Sequence, residues 1–323
     1  MKKILIIKLG ALGDIVMATS LIRQIQIHHK DAEIWLLTTP PYKQIFENQK
    51  QLNTVAFIRK GLITMFKSIV WIRKMKFNRV YDLQSNDRSG VLVSLSGIPE
   101  KVGNHPRFPY NFHPANKYTG QCHIFVRMLD VLKSGGINAS QELPFLPASD
   151  NEKRFVADWL SGHRLFDKTF VIIHAGASTK HPEKCWPSYR ELAVALAESG
   201  YIIIWVGSEP DIDINKQLSS ATGIDATGLF SLTALAELGR HAKFAVTNDS
   251  GPMHILSSSG IPIYSIFGPT NWRRCHAIGQ ANNVIAADMV ADPVVAINSK
   301  TDIKNITLEI VLNRLYKDGH ISN

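Results

Sequence analysis

The sequence predicts a two-domain α/β protein, each domain built on a parallel β-sheet. Three observations carry this. Apolar runs of strand length alternate with stretches of helix length, the βαβ rhythm of a parallel sheet. The rhythm breaks once, at the proline-bounded Leu143-Pro144-Phe145-Leu146-Pro147, and then restarts. The length, 323 residues, fits about two average domains. The expected domains are 1–150 and 151–323, both Rossmann-like.

In the first, Ile4–Lys8 reads as a buried strand and Ile15–His28 as a helix opening after Gly13-Asp14. Glu33–Thr38, Thr54–Ile58 and Arg79–Leu83 are the following strands, with a basic amphipathic helix around Ile63–Met75 before the last. Residues 97–120, rich in Gly, Pro, Asn and His, read as irregular loop, and His123–Lys133 as a helix. In the second domain, strands are expected at Phe170–His174, Tyr201–Val206, Phe244–Thr247 and Ile263–Phe267. Helices are expected at Asn151–Leu160, at Ser188–Ser199 before Gly200, and from the N-cap Ser231 through Leu238. Another opens at Met253, and a final helix, Ile306–Tyr316, is placed back against the first domain. Ligands of such sheets sit at the carboxyl ends of strands, so the strand–loop–helix junctions are where chemistry is sought.

Composition narrows the function classes. Apolar residues make up 45% and charged residues 20%, and no apolar run reaches the roughly 18 residues of a membrane span. The start, Met1–Ile7, mimics a signal peptide, but Lys8 and Asp14 interrupt it, and it reads instead as a first strand. Cys122, Cys185 and Cys275 lie far apart with no zinc spacing, which fits a reducing cytoplasm. No short repeat or low-complexity tract is present. The net charge of +9 is unevenly placed: residues 1–150 hold 20 Lys/Arg against 10 Asp/Glu, and residues 151–323 hold 16 against 17. The first domain is expected to face an anionic partner.

Four segments can carry chemistry. Lys8-Leu9-Gly10-Ala11-Leu12-Gly13-Asp14 joins the first strand to the first helix. It is not a G-x-G-x-x-G fingerprint, and no acidic residue ends the second strand, which disfavours a dinucleotide cofactor. Asp14 fits either a helix N-cap or a general base at a strand end. The run from His174 to Pro187 offers hydroxyl and cationic donors, including Ser178, Thr179 and Lys184, suited to a phosphate, without a Walker pattern. In Thr247–His254, Ser250 and Gly251 offer amides to an anion, and Asp249 can accept from sugar hydroxyls. His254 is counted with this group, although a lone histidine needs a partner to act as a ligand. The fourth segment is basic: no acidic residue stands between Glu47 and Asp82, while Arg59, Lys60, Lys67, Arg73 and Lys74 interleave with Ile63, Phe66, Ile69, Val70 and Ile72. It reads as a polyanion or membrane-surface contact, or as a solvated face. No nucleic-acid motif accompanies it, so nucleic acid is not expected as a partner. Asp211-Ile212-Asp213 has metal-site spacing but reads as a solvated helix start.

Taken in order, Lys8–Ile15, Asp82-Leu83-Gln84 with Arg88-Ser89, His174-Ala175-Gly176 with Lys184-Cys185-Trp186-Pro187, and Thr247–His254 with Gly268-Pro269-Thr270 resemble the bacterial heptosyltransferases of glycosyltransferase family nine. The resemblance spans residues 2 to about 276. Where the family often has a cysteine pair after Gly-Pro-Thr, this chain has Cys275 alone, preceded by Arg273-Arg274. The resemblance implies a GT-B fold, two Rossmann-like domains facing a central cleft, with the acceptor on the first domain and the nucleotide-sugar on the second. It implies metal-free, inverting transfer from ADP-L-glycero-D-manno-heptose to the phosphorylated inner core of lipopolysaccharide. Asp14 would be the base, with Ser178, Thr179 and Lys184 on the donor phosphates. Asp249 would hold the heptose, with Ser250, Gly251 and His254 beside it. Arg59, Lys60, Lys67, Arg88 and Arg107 would face the lipid-linked acceptor, and the enzyme would work at the anionic inner face of the inner membrane. Left open are a transferase acting on capsule or O-antigen and a non-catalytic polyanion- or membrane-binding protein.

Overall fold

Strands covered by helices on both faces must be apolar throughout rather than alternating. The chain obeys this in β1 (Lys3–Ile7), where Ile4 to Ile7 are buried, and in β6 (Phe170–His174), where all five residues are. Both become central strands. The computed structural model describes residues 1–58, 61–105, 108–115, 122–290 and 301–322. It divides into two units, Met1–Pro147 and Ala148–Asn323.

The first unit is a five-stranded sheet in the order β3-β2-β1-β4-β5. Its other strands are β2 (Glu33–Thr38), β3 (Leu52–Ala56), β4 (Arg79–Asp82) and β5 (Glu100–Val102), and every neighbouring pair is parallel. Its helices are α1 (Leu12–His28), α2 (Leu62–Met75), α3 (Asp87–Leu95) and α4 (Ile124–Ser134). The start of α3 is fixed by a reciprocal Asn86–Ser89 capping box. Ile69 and Ile72 of α2 pack with Leu5, Ile7 and Val80 of the sheet.

The second unit is a six-stranded sheet in the order β11-β10-β9-β6-β7-β8. It adds β7 (Ile202–Trp205), β8 (Ile224–Asp225), β9 (Ala245–Asn248), β10 (Ile263–Phe267) and β11 (Val284–Ala286), again parallel throughout. Its helices include α5 (Asp150–Gly162), α6 (Tyr189–Glu198), α7 (Ile212–Ser219), α8 (Leu232–Gly239) and α9 (Gly251–Ser257). Glu152 closes the capping box of α5 with Ser149 and also accepts from the hydroxyls of Ser231 and Thr233, tying α5 to α8. Burial alone would raise its carboxyl, but these donors win and hold it at about 2.

The structure departs from the sequence reading in several places. β3 begins two residues early, β5 and a bridge from Val102 to Phe112 lie in the segment read as irregular, and α3, β8 and β11 have no counterpart in the sequence reading, while α7 starts at the Asp211–Asp213 helix start. The final helix, Leu308–Lys317, belongs to the second unit. Its buried Val311 and Leu315 enter the second unit's core beside Phe244 and Tyr264. The Tyr264 hydroxyl donates to Asp318 at 2.7 Å and the Tyr201 hydroxyl to the His320 carbonyl at 2.6 Å, which pins the apolar stripe to that sheet.

In both sheets the strand order reverses at one place. β1 sends the chain to β2 on one side and has β4 on the other; β6 likewise lies between β7 and β9. Such switch points open a crevice at the strands' carboxyl ends.

Candidate active site

At the first switch point the loop after β1 carries Gly10 at φ +137°, a backbone angle that suits glycine. Leu9 fixes the loop from both sides, its amide donating to Gln84 Oε1 at 2.9 Å and its carbonyl accepting from Thr39 Oγ1 at 3.2 Å. Asp14 lies inside the first turn of α1, and the N-cap position belongs to Ala11, so Asp14 does not cap the helix. Its side chain is 28% exposed, and its Oδ2 stands 3.9 Å from Lys8 Nζ, whose side chain is 2% exposed. The Lys8 ammonium also donates to the Leu83 carbonyl at 3.2 Å, just past β4. A buried cation thus backs a carboxylate that still reaches solvent.

The same unit holds a second carboxylate. Asp82, fully buried at the end of β4, accepts from the amides of Ser85 and Gln84 at 2.8 and 3.0 Å and from the Tyr110 hydroxyl. Burial pushes the Asp82 carboxyl up despite those donors, and burial and Asp82 together raise the Tyr110 phenol. The Tyr110 ring lies where a Cβ on Gly103 would be, so that glycine leaves room for it.

At the second switch point the side chains are paired with one another. Lys184 Nζ lies 2.6 Å from Asp249 Oδ2. Ser250 Oγ meets His174 Nδ1 at 3.1 Å, and His174 Nε2 stands 3.8 Å from Asp211 Oδ2. Asp211 is buried and also accepts from the Ser208 amide at 2.7 Å. Burial would raise its carboxyl, but the nearby His174 ring and the hydrogen bonds from Ser208 lower it below the usual range. Asn248 is the hub. Its amide nitrogen donates to the carbonyls of Ala175 and Gly176, and its oxygen accepts from the Trp186 amide and the Tyr189 hydroxyl. Both ends of the loop carrying Ser178, Thr179 and Lys184 are therefore held by one side chain. Gly176 is required by close approach: a Cβ there would lie 1.9 Å from Asp211 Oδ1.

The structure brings Lys184, Asp249 and Ser250 together around β6 and β9, with Gly251 opening α9. Ser178 and Thr179 are exposed on the loop, whereas His254 is buried within α9. Lys67 is exposed on α2, and Arg88 donates to the Gly61 carbonyl at 3.2 Å. Arg59, Lys60 and Arg107 lie outside the described residues. Asp211 is not the solvated helix start expected; it is buried because His174 and Ser208 draw it inward, while Asp213 remains exposed. Lys8, Asp82, His174 and Asn248 were quoted in the motifs without a role, and each sits at a strand's carboxyl end. Among the described residues, no group of three or more His, Cys, Asp and Glu converges as a metal site.

The first unit thus offers an accessible carboxylate and the second a cation beside hydroxyl groups, side chains of the kinds that sugar transfer uses. Comparison with known proteins leads to the same chemistry. Lipopolysaccharide heptosyltransferase 2 of Escherichia coli K12 is 23% identical over 293 residues, covering 83% of each chain. A glycosyltransferase of family 9 from Veillonella parvula superposes with a TM-score of 0.81 at 22% identity, covering 98% of this chain and 96% of that one. The E. coli ADP-heptose lipopolysaccharide heptosyltransferase II superposes at 0.74 and 22%, covering 98% of both. These structures share the GT-B fold expected above. Residues 65–303 match the sequence profile of glycosyltransferase family 9 (heptosyltransferase), and with that match spanning most of its length the chain belongs to this family of enzymes.

Proposed function

We propose that the protein moves heptose from ADP-L-glycero-D-manno-heptose to the phosphorylated inner core of lipopolysaccharide, with inversion and without a metal, at the cytoplasmic face of the inner membrane. The observation that carries this is the Lys184–Asp249 pair at the end of β9, matched in the other unit by the half-open carboxylate of Asp14. The relatives' names support the sugar and the acceptor. Asp14 takes the proton of an acceptor hydroxyl as its oxygen bonds to the anomeric carbon. The bond from that carbon to the diphosphate breaks, and its electron pair leaves with ADP. Lys184 and Thr179 neutralise the departing charge. On donor binding, Lys184 exchanges Asp249 for the diphosphate, and Asp249 turns to the sugar hydroxyls. Ser178, Ser250, Gly251 and His254 complete the donor set. Lys67 and Arg88, with Arg59, Lys60 and Arg107, meet the acceptor phosphates.

Thermal-shift titration with ADP, UDP, GDP and their sugars tests the donor assignment. A ligand at a hundred times its Kd stabilises the folded state by about 2.7 kcal/mol. ADP and ADP-heptose should raise Tm, and UDP and GDP should not. Stabilisation by UDP or GDP instead would point to another nucleotide-sugar and a capsule or O-antigen acceptor. Absence of any transfer or donor hydrolysis would favour a non-catalytic binding protein.

A further inference from the structure

In the second unit, two acceptors compete for one hydroxyl proton. Ser250 Oγ lies 3.1 Å from His174 Nδ1 and 3.2 Å from the Asn248 carbonyl. The other ring nitrogen, Nε2, faces Asp211 Oδ2 at 3.8 Å, beyond hydrogen-bond reach but within that of an ion pair. His174 and Asp211 are both buried. Asp211 accepts from the amide and the hydroxyl of Ser208 at 2.7 and 3.1 Å, bonds that favour the carboxylate. Among the described residues, Asp211 is the charged partner of the ring. Lys184 and Asp249 face each other, and burial, Asp211 and Glu183 push the Cys185 thiol up, so it brings no charge.

Counting donors and acceptors restricts what this arrangement can do. A carboxylate only accepts, so a ring with one proton carries it on Nε2, towards Asp211, and Nδ1 is left as an acceptor. The Ser250 hydroxyl has one proton to give, and Nδ1 and the Asn248 carbonyl both draw it inward. Donating it outward to an anion would strand the buried Nδ1 without a partner, unless Nδ1 becomes a donor itself. That requires a ring with two protons, and Asp211 supplies the opposite charge that a buried imidazolium needs. We propose that His174 is a positioning residue for the donor's diphosphate: it takes up one proton from solvent as the diphosphate binds, and so turns the Ser250 hydroxyl from the ring to a phosphate oxygen. The proton returns to solvent when the nucleotide leaves. This deepens the donor-site reading above and rests on it.

The test is titration calorimetry of the full chain with ADP, at about pH 7, in phosphate and in Tris buffer. The two buffers release a proton with different enthalpies, so the difference in binding heat gives the protons taken up per ADP bound. His174→Asn puts an amide oxygen near the place of Nδ1 and cannot be protonated, and Asp211→Asn keeps an acceptor for Ser208 but removes the opposite charge. The wild type should take up at least about half a proton more than either variant, and its Kd should rise more steeply with pH, by up to about tenfold per pH unit. The ionisation of ADP itself is common to all three proteins and cancels between them. Equal uptake by the wild type and His174→Asn, both binding ADP, would overturn the proposal and leave the donor assignment standing. Should His174→Asn fail to fold, equal uptake by the wild type and Asp211→Asn overturns it instead. The same excess uptake with UDP or GDP, and no binding of ADP, would support the role of His174 and refute the nucleotide. Binding of none of the three would overturn both.

Discussion

At the switch point of the first unit the cation is buried and the carboxylate is open; at that of the second, cation and carboxylate hold each other. Lys8 is sealed under the loop and anchored to the Leu83 carbonyl, so Asp14 faces solvent with a fixed positive charge behind it. Lys184 and Asp249 are both partly exposed and 2.6 Å apart, so each neutralises the other. The first arrangement keeps a carboxylate ready at all times. The second leaves each charge satisfied by the other. An unpaired, half-buried charge is costly, which explains why Lys184 and Asp249 rest in a pair.

The largest test of this contrast is Asp14→Ala. A positioned general base is worth roughly 10²- to 10⁴-fold, so the variant should lose transfer by about that factor while calorimetry shows ADP binding unchanged. Near-normal turnover would remove Asp14 from the chemistry. Lys184→Ala should cost less in rate, on the order of 10²-fold in kcat/KM, and should also weaken ADP. In a cycle with Asp249→Ala, the second substitution should add little to the first, because either alone breaks the pair. Full additivity would show that the two act independently.

Gly176→Ala sharpens the contrast without touching charge. Its new methyl would collide with Asp211, forcing the loop and the His174 contact apart, at about 2 kcal/mol of stability by analogy with overpacked cores. Urea denaturation measures it, and an unchanged midpoint would show that the loop yields freely. The smallest effects are set by pH. Burial, then His28, Arg79 and Lys2, hold His29 of the first unit at about 4 against an ordinary 6.5. The unfolded chain therefore binds a proton first, and stability should fall as pH drops from about 6.5 towards 4. Glu152 of the second unit works in a lower window, losing its contribution as pH falls from about 4.5 towards 2. His29→Gln should flatten the upper part of the acid unfolding curve and Glu152→Gln the lower, and Tm measured across pH separates them.

Elements with continuous apolar cores were legible in the sequence: β1, β6, β7, β9 and β10 lie close to where hydrophobicity placed them. What escaped was short or polar. β8 has two residues and β11 three, and such pieces form because a neighbouring strand offers them a ladder, not through their own propensity. The site was legible to the same degree. Loop composition singled out Lys184, Asp249 and Ser250, which the fold does bring together. The Asp211–His174 contact joins residues 37 apart in sequence through two different strand ends, and only folding creates it. The basic helix was half read. Its periodicity announced one apolar face, while the structure divides those residues between core and solvent.

The indole of Trp186 donates to the Ile306 carbonyl at 2.6 Å, and Tyr201 reaches the His320 carbonyl. The order of synthesis gives these bonds a meaning. The first unit finds all of its sheet partners within residues 1–147 and can fold while the rest of the chain is still being made. The loop after β6 cannot: the carbonyl that holds its tryptophan is translated 120 residues later. A chain halted before residue 306 would therefore hold a finished first unit, while the loop after β6 still lacked the carbonyl that fixes its tryptophan.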